Sequence, residues 1–310
     1  MQVKNTVTNH SPTTVIKTLC LAVIMTCHNR LAKTLGCLEA LYKQELPSNL
    51  EMQVYLVDDG STDGTGELVR SNYPGVNILL GSGDLFWNGG MRLAFAEAIK
   101  YDYDYYLWLN DDTILYPEAI SNLLTSSYAL TQQGYVKTVV VGSTQDAKSG
   151  LPSYGGMIAS SWWHPLKFNL IKPDNHEVKP CSTINGNCVL LSREVVQAVG
   201  NLDPAFRHST GDFDYGLRVH KQGGSVWLAP RYVGTCEYNP LRHQAWDEPN
   251  LTLRQRWEKI NQPRGLPIRE WKVFARRHAG PFWIFYWLLP YARLVFKSVI
   301  HAAVLAQTLP

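Results

Sequence analysis

Close cysteine pairs are missing from this chain: its cysteines, at 20, 27, 37, 181, 188 and 236, have neither zinc-ribbon nor redox spacing. They read as reduced core thiols, which predicts a cytoplasmic protein. Charge of one sign is also scarce. The net charge is only +3 and no dense basic patch occurs before the end of the chain, which argues against nucleic acid as a partner. Leu19–Met25 is apolar, but polar residues precede it and no small-residue cleavage site follows, so it reads as a core strand and not a signal peptide. No glycine fingerprint follows that strand, and no phosphate loop ending in Gly-Lys-Ser/Thr occurs, which disfavours a dehydrogenase or a P-loop nucleotidase. Any nucleotide must be bound by another design. With 45% hydrophobic and 18% charged residues over 310 positions, the chain is long and apolar enough to bury a sizeable core.

What is present is a recurring unit. Leu19–Met25 runs into Thr26-Cys27-His28-Asn29-Arg30, and apolar residues at 31, 35, 38, 41 and 42 then mark one face of a helix. Met52–Val57 runs into Asp58-Asp59-Gly60-Ser61-Thr62-Asp63-Gly64, where the glycines permit a tight turn before the next helix. Val76–Leu80 is followed by the glycine-rich stretch 81–90 and a helix expected over 91–100. Tyr105–Leu109 ends abruptly in Asn110-Asp111-Asp112-Thr113. Strands alternating with helices at this spacing imply crossover units and a parallel sheet, in which ligands bind outside the carboxyl ends of the strands. The four polar turns are therefore expected to share one crevice. Adjacent carboxylates beside an apolar core need a cation, an arginine or water to relieve their repulsion. A hard divalent ion would do so; Asp112 or Thr113 could equally cap the helix that begins near Pro117.

Taken together, these stretches resemble the family 2 glycosyltransferases of GT-A fold: an α/β, mostly parallel Rossmann-like sheet flanked by helices. The resemblance rests on Thr26–Arg30, Val57–Asp63, Asn110-Asp111-Asp112 as the DXD-type site, and Gly211-Asp212, in the family's order. The stretch Phe86–Arg92 resembles a bacterial subgroup of rhamnosyl- and galactofuranosyltransferases. The resemblance implies that Thr26, His28 and Asp59 lie along the nucleobase and ribose, with Asp59 accepting from the base and Asp58, Arg30 and Asn88 nearby. It implies that Asp111 contacts ribose or metal and that Asp112 holds Mg²⁺ or Mn²⁺ between diphosphate oxygens. A hard ion there would stabilise the growing charge of a diphosphate leaving group. Trp87, Asn185, Gly186, Asn187, His208 and Gly211 are the corresponding donor-sugar and acceptor candidates, and His243 is a candidate third metal ligand. Asp212 matches the general base of a single displacement with inversion, although Gly211 stands where the family usually has a glutamate. An ordinary helix cap is the other reading of Asp212. If the segment is helical from about 212, Asp214 pairs with Arg218 four residues on.

Later, a helix is expected near 117–133, strands at 136–141 and 226–230, and a loop-rich region over 142–180 containing Trp162 and Trp163. The division expected is a loose leader over 1–17, a catalytic domain over 18–240 (a nucleotide-binding half to 115, an acceptor-binding half beyond) and a helical basic and aromatic appendage over 241–310. The apolar run 281–290 is shorter than the ~20 residues that span a bilayer, but basic residues from 257 onward beside Trp, Phe and Tyr suit a helix at an anionic membrane surface. Packing on the catalytic domain, or on a second subunit, is the alternative. The function expected is metal-dependent, inverting transfer from a UDP- or dTDP-sugar to a glycan or lipid-linked acceptor in bacterial surface polysaccharide synthesis, at the inner face of the membrane. A nucleotidyltransferase, or a non-catalytic carbohydrate-binding protein of the same fold, are the alternatives.

Overall fold

The computed structural model describes residues 17–238, 246–248 and 251–308, with side chains to 298. All but Lys17 of the expected leader lies outside these residues, as does His243. The chain runs β1 (Leu19–Cys27), α1 (Leu31–Tyr42), β2 (Leu50–Asp58), α2 (Thr65–Asn72), β3 (Asn77–Leu80), α3 (Phe86–Ile99), β4 (Tyr105–Leu109), β5 (Ile114–Leu115) and α4 (Ala119–Gln132). It continues through β6 (Thr138–Gln145), β7 (Pro152–Tyr154), β8 (Gly156–Ala159), β9 (Phe168–Leu170), β10 (Lys179–Pro180), β11 (Thr183–Ile184), β12 (Cys188–Ser192), α5 (Arg193–Val199), α6 (Gly211–Lys221) and β13 (Ser225–Thr235). Helices α7 (Leu253–Ile260), α8 (Ile268–His278) and α9 (Trp283–Thr308) follow.

The main sheet has the order β10-β13-β6-β12-β4-β1-β2-β3. β1 lies parallel to β2 and β4, and β2 parallel to β3, as the crossover pattern implies. β12 breaks this pattern in the middle of the sheet, antiparallel to both β4 and β6, and the short strands β5, β7 and β10 are antiparallel to their neighbours as well. Alternation of side chains along the strands divides the core between the two faces. Leu21, Val23 and Met25 join Leu107 and Leu109 against α1 and α4, while Ala22 and Ile24 join Tyr106 and Trp108 against α3 and α6.

Three boundaries differ from expectation, each for a local reason. Helix α3 begins at Phe86 and not near 91, because the buried Asp59 carboxylate accepts hydrogen bonds from Gly83, Leu85 and Phe86 N–H and so supplies partners to the new helix end. Gly90 thereby falls inside the helix, where a Cβ would collide with Thr26. The last long strand, β13, continues past Pro230, its pairing with β6 shifting between Leu228 and Tyr232, as bulged strands that carry proline do. Finally, the strand expected at 136–141 runs instead over Thr138–Gln145, where its extension pairs with β7, and the loop-rich region that follows also holds β8 and β9, which join β11 in a small second sheet.

The C-terminal helices pack on the sheet domain through a separate apolar cluster. Phe206 from the loop before α6 meets Ile260, Trp271, Phe274, Tyr291 and Leu294. A buried ionic knot crosses the same seam: Asp214 of α6 accepts from Arg218 at 2.8 Å, as the spacing suggested, and also from Arg277 at 3.1 Å and His278 at 2.8 Å of α8.

Candidate active site

The carboxyl ends of β1 and β4, adjacent in the sheet, bring Arg30 against the acidic pair. Its Nη1 donates to Asp111 Oδ1 at 2.8 Å and its Nη2 to Asp112 Oδ2. This answers the repulsion between neighbouring carboxylates with an arginine, one of the partners the sequence demanded. Asp111 is buried, and burial pushes its carboxyl up to about 7, with Asp112 adding to the shift and Arg30 opposing it. Asp112 opens instead into a cleft of about 450 Å³.

The other wall of the cleft comes from the loop before β12 and the start of α6. Asp212 accepts from Gly186 N–H at 2.9 Å and from Phe213 N–H at 2.9 Å. Burial raises its carboxyl to about 6, although both amides pull it back down. It is not the helix cap, since Thr210 occupies that position and α6 starts at Gly211. Trp87, at the start of α3, donates through Nε1 to Asn110 Oδ1 at 2.6 Å. A Cβ at Gly186 would strike the Trp87 ring and approach Asp212, so only glycine lets the ring, the loop and the carboxylate meet.

The cleft thus collects Arg30, Trp87, Asp112, Asn185, Gly186, Asn187, His208 and Asp212 from the sequence candidates. Other candidates face the protein. Asn88, expected near the nucleotide, is fully buried and donates to the Asp203 carbonyl at 3.0 Å and the Phe206 carbonyl at 2.7 Å, so it pins the loop before α6. Gly211 packs on Asn88 instead of a sugar, because a Cβ there would overlap the Asn88 side chain. Both Asp59 oxygens are engaged by backbone amides, so this carboxylate shapes the loop 81–86. Asp58 accepts from Ser61 N–H at 3.0 Å and is likewise buried, as is Thr26 against α3. His28 is exposed beside them, its Nδ1 donating to the Asp59 carbonyl at 2.6 Å. Asn110, Tyr154, Thr210, Trp246, Arg264 and Phe274 also line the cleft. Sequence reading missed all but the first of these, because only tertiary packing brings β7, the loop before α6 and the C-terminal segment to one cleft. A broader hollow of about 820 Å³ beside Pro47, Pro117 and Tyr232 gathers none of the carboxylates at the strand ends.

Among the described residues no group of three His, Cys, Asp or Glu is arranged to hold a metal by itself. The donor set still fits a hard ion that keeps most of its shell: Asp112 offers a carboxylate to the cleft, and Mg²⁺ is commonly held by one or two carboxylates plus phosphate oxygens and water. Asp111, bound by Arg30 and Thr34, is turned from the cleft in this arrangement.

A parallel α/β half, an acidic pair at its switch point and a separate carboxylate facing it define a GT-A glycosyltransferase. Residues 22–200, more than half of the chain, match the sequence profile described as "Glycosyl transferase family 2", and the chain belongs to that family. Its relatives include an N-acetylglucosaminyl-diphospho-decaprenol L-rhamnosyltransferase of Mycobacterium tuberculosis, 25% identical over 64% of this chain and 69% of that protein. Among solved structures, the mannosyltransferase PcManGT of Pyrobaculum calidifontis, in complex with GDP-Man and Mn²⁺, aligns with a TM-score of 0.55 at 13% identity, covering 96% of this chain and 77% of that one. TarS residues 1–349 of S. aureus align with a TM-score of 0.51 at 12% identity over 83% of this chain and 70% of that one. At such identities the structural likeness concerns the fold.

Proposed function

We propose that the chain is an inverting hexosyltransferase that moves a sugar from a UDP- or dTDP-sugar to a hydroxyl of a glycan or lipid-linked acceptor in bacterial surface polysaccharide synthesis. The observation that carries this reading is Asp212, a carboxylate facing the cleft opposite Asp112 and held by the Gly186 amide. As the acceptor oxygen bonds to the anomeric carbon, its proton passes to Asp212 and the anomeric carbon–phosphate bond breaks. The bonding electrons leave with the nucleoside diphosphate, and one displacement inverts the centre. Arg30 stands where it can meet the charge that develops on the diphosphate. Asp112 would hold Mg²⁺ or Mn²⁺, which when bound would supply Lewis-acid stabilisation of that leaving group. The rhamnosyltransferase relative supports a diphospho-lipid-linked sugar as acceptor.

The same reading puts the enzyme at the inner face of the membrane. No helix among the described residues is long and apolar enough to cross a bilayer. Phe282, Ile284, Phe285, Leu288, Val295 and Phe296 nevertheless leave an exposed apolar stripe on and before α9, with Arg276 and Arg293 exposed nearby. An apolar stripe beside cations suits an anionic lipid surface.

The test is incubation with a panel of UDP- and dTDP-sugars, Mg²⁺ or Mn²⁺, and extracted acceptors. Acceptor-dependent release of nucleoside diphosphate is expected. Release of pyrophosphate would replace the proposal with nucleotidyl transfer.

A further inference from the structure

A second concavity adjoins the active-site cleft. It measures about 290 Å³ and shares Trp246 and Leu266 with the cleft, so the two lie on either side of those side chains. Leu166 and Leu289 are among its apolar lining, whereas Arg293 and Lys297 stand on it one turn apart on α9. Lys297 is paired with Asp247 at 2.8 Å; Arg293 has no salt bridge among the described residues. His164 also lines the groove, and its Nδ1 is buried with no hydrogen-bond partner. Asp247, the partner of Lys297, also lines the groove, so Arg293 supplies its uncompensated positive charge; an apolar trough bearing such an arginine, with side chains in common with a catalytic cleft, matches a molecule that is anionic at its head and hydrocarbon beyond it.

We propose that this groove seats the acceptor's diphosphate and the first part of its polyprenyl chain. The acceptor sugar would project past Trp246 and Leu266 toward Asp212, and the rest of the chain would leave along the exposed apolar stripe of α9. The groove is too small for a long lipid, which is consistent with only the head of the chain being enclosed. The proposal rests on the lipid-linked acceptor of the proposed function and assigns that acceptor's non-sugar part to residues outside the main sheet. Arg293 supplies charge to the diphosphate, and Leu166 and Leu289 supply surface to the first isoprenoid carbons.

The probe is farnesyl diphosphate, titrated calorimetrically into the full chain and into Arg293→Glu and Leu289→Gln, with farnesol and inorganic diphosphate as partial ligands. Wild-type binding is expected to exceed that of either partial ligand by about tenfold or more, and each variant to lose about tenfold, as expected for one charge-assisted contact or one lost apolar contact. Melting temperature and UDP or dTDP affinity should be unchanged in Arg293→Glu. Equal binding in wild type and both variants would overturn the groove, as would displacement of farnesyl diphosphate by UDP, which would put the diphosphate in the donor site. Sugar transfer to a water-soluble glycoside separates this proposal from the reaction itself. It should persist in Arg293→Glu, while its absence from wild type with every acceptor would count against the glycosyl transfer and leave the calorimetric result to judge the groove.

Discussion

At the scale of single residues, Asp212 and Asn88 make opposite cases. Asp212 was legible because it sits in a short contiguous motif, and the structure gives it a cleft, an amide partner and a carboxyl raised to about 6. Asp212→Asn keeps an acceptor for Gly186 N–H but cannot take a proton, so kcat should fall by ~10²–10⁴-fold while calorimetric donor affinity changes less than about twofold. The sign of the pH effect follows from the shift. The base must be ionised, so kcat/KM should decline by about tenfold per pH unit below about 6 and level above it, and that acid limb should be absent from the residual activity of Asp212→Asn. The loop-pinning contacts of Asn88 are not legible in its sequence neighbours, because its partners, the carbonyls of Asp203 and Phe206, are more than a hundred residues away. Asn88→Ala strands those carbonyls, and thermal unfolding should register a loss of about 2–4 kcal/mol with nucleotide affinity retained.

At the scale of elements, the strands of the first half could be read from apolar runs, because burial on both faces leaves a continuous signature. Their ends could be read too, since charged turns stop them sharply. The start of α3 could not, because what terminates the glycine-rich loop is Asp59, a residue of the turn after β2. Asp59→Ala removes an acceptor for three amides, so the loop 81–86 should exchange its amide hydrogens faster in that variant while the strands β1 and β4 keep their protection. Unchanged exchange at Gly83, Leu85 and Phe86 would show that other contacts hold the loop.

At the scale of the whole molecule, the appendage is a structural partner of the site as well as a tail. Asp214, two positions beyond Asp212, is buried against Arg218, Arg277 and His278, and the cleft itself reaches Arg264 and Phe274. Removing one member of a buried cluster leaves the rest uncompensated, so Asp214→Ala should cost about 3–5 kcal/mol in denaturant unfolding and loosen α8 against α6. Burial holds the His278 imidazole below its usual range, and the carboxylate of Asp214 only partly offsets this. The unfolded chain therefore binds a proton at His278 more readily, and stability should drop as pH falls below about 6.5. On the outer side, Phe285 and Phe296 are 58% and 67% exposed, and their joint replacement by serine should shift the protein from the floating to the soluble fraction with anionic liposomes. None of this seam was visible in the sequence beyond the Asp214–Arg218 spacing, since a helix declares its own face but not what will cover it.

The reversed strand β12 has a further consequence. Its first residue, Cys188, pairs with the last of β4, so the loop 185–187 arrives at the same rim as the turns after β1 and β4, although the chain runs the other way. Its far end, at Ser192, lies beside Tyr105, where Asp104 is bound by Lys17, Cys20 N–H and Arg193. Cleft wall and anchorage are thus at opposite poles of one strand, so a substitution at Asn185 would reshape the cleft without touching the mooring that keeps the strand in register, whereas Gly186 between Trp87 and Asp212 admits none.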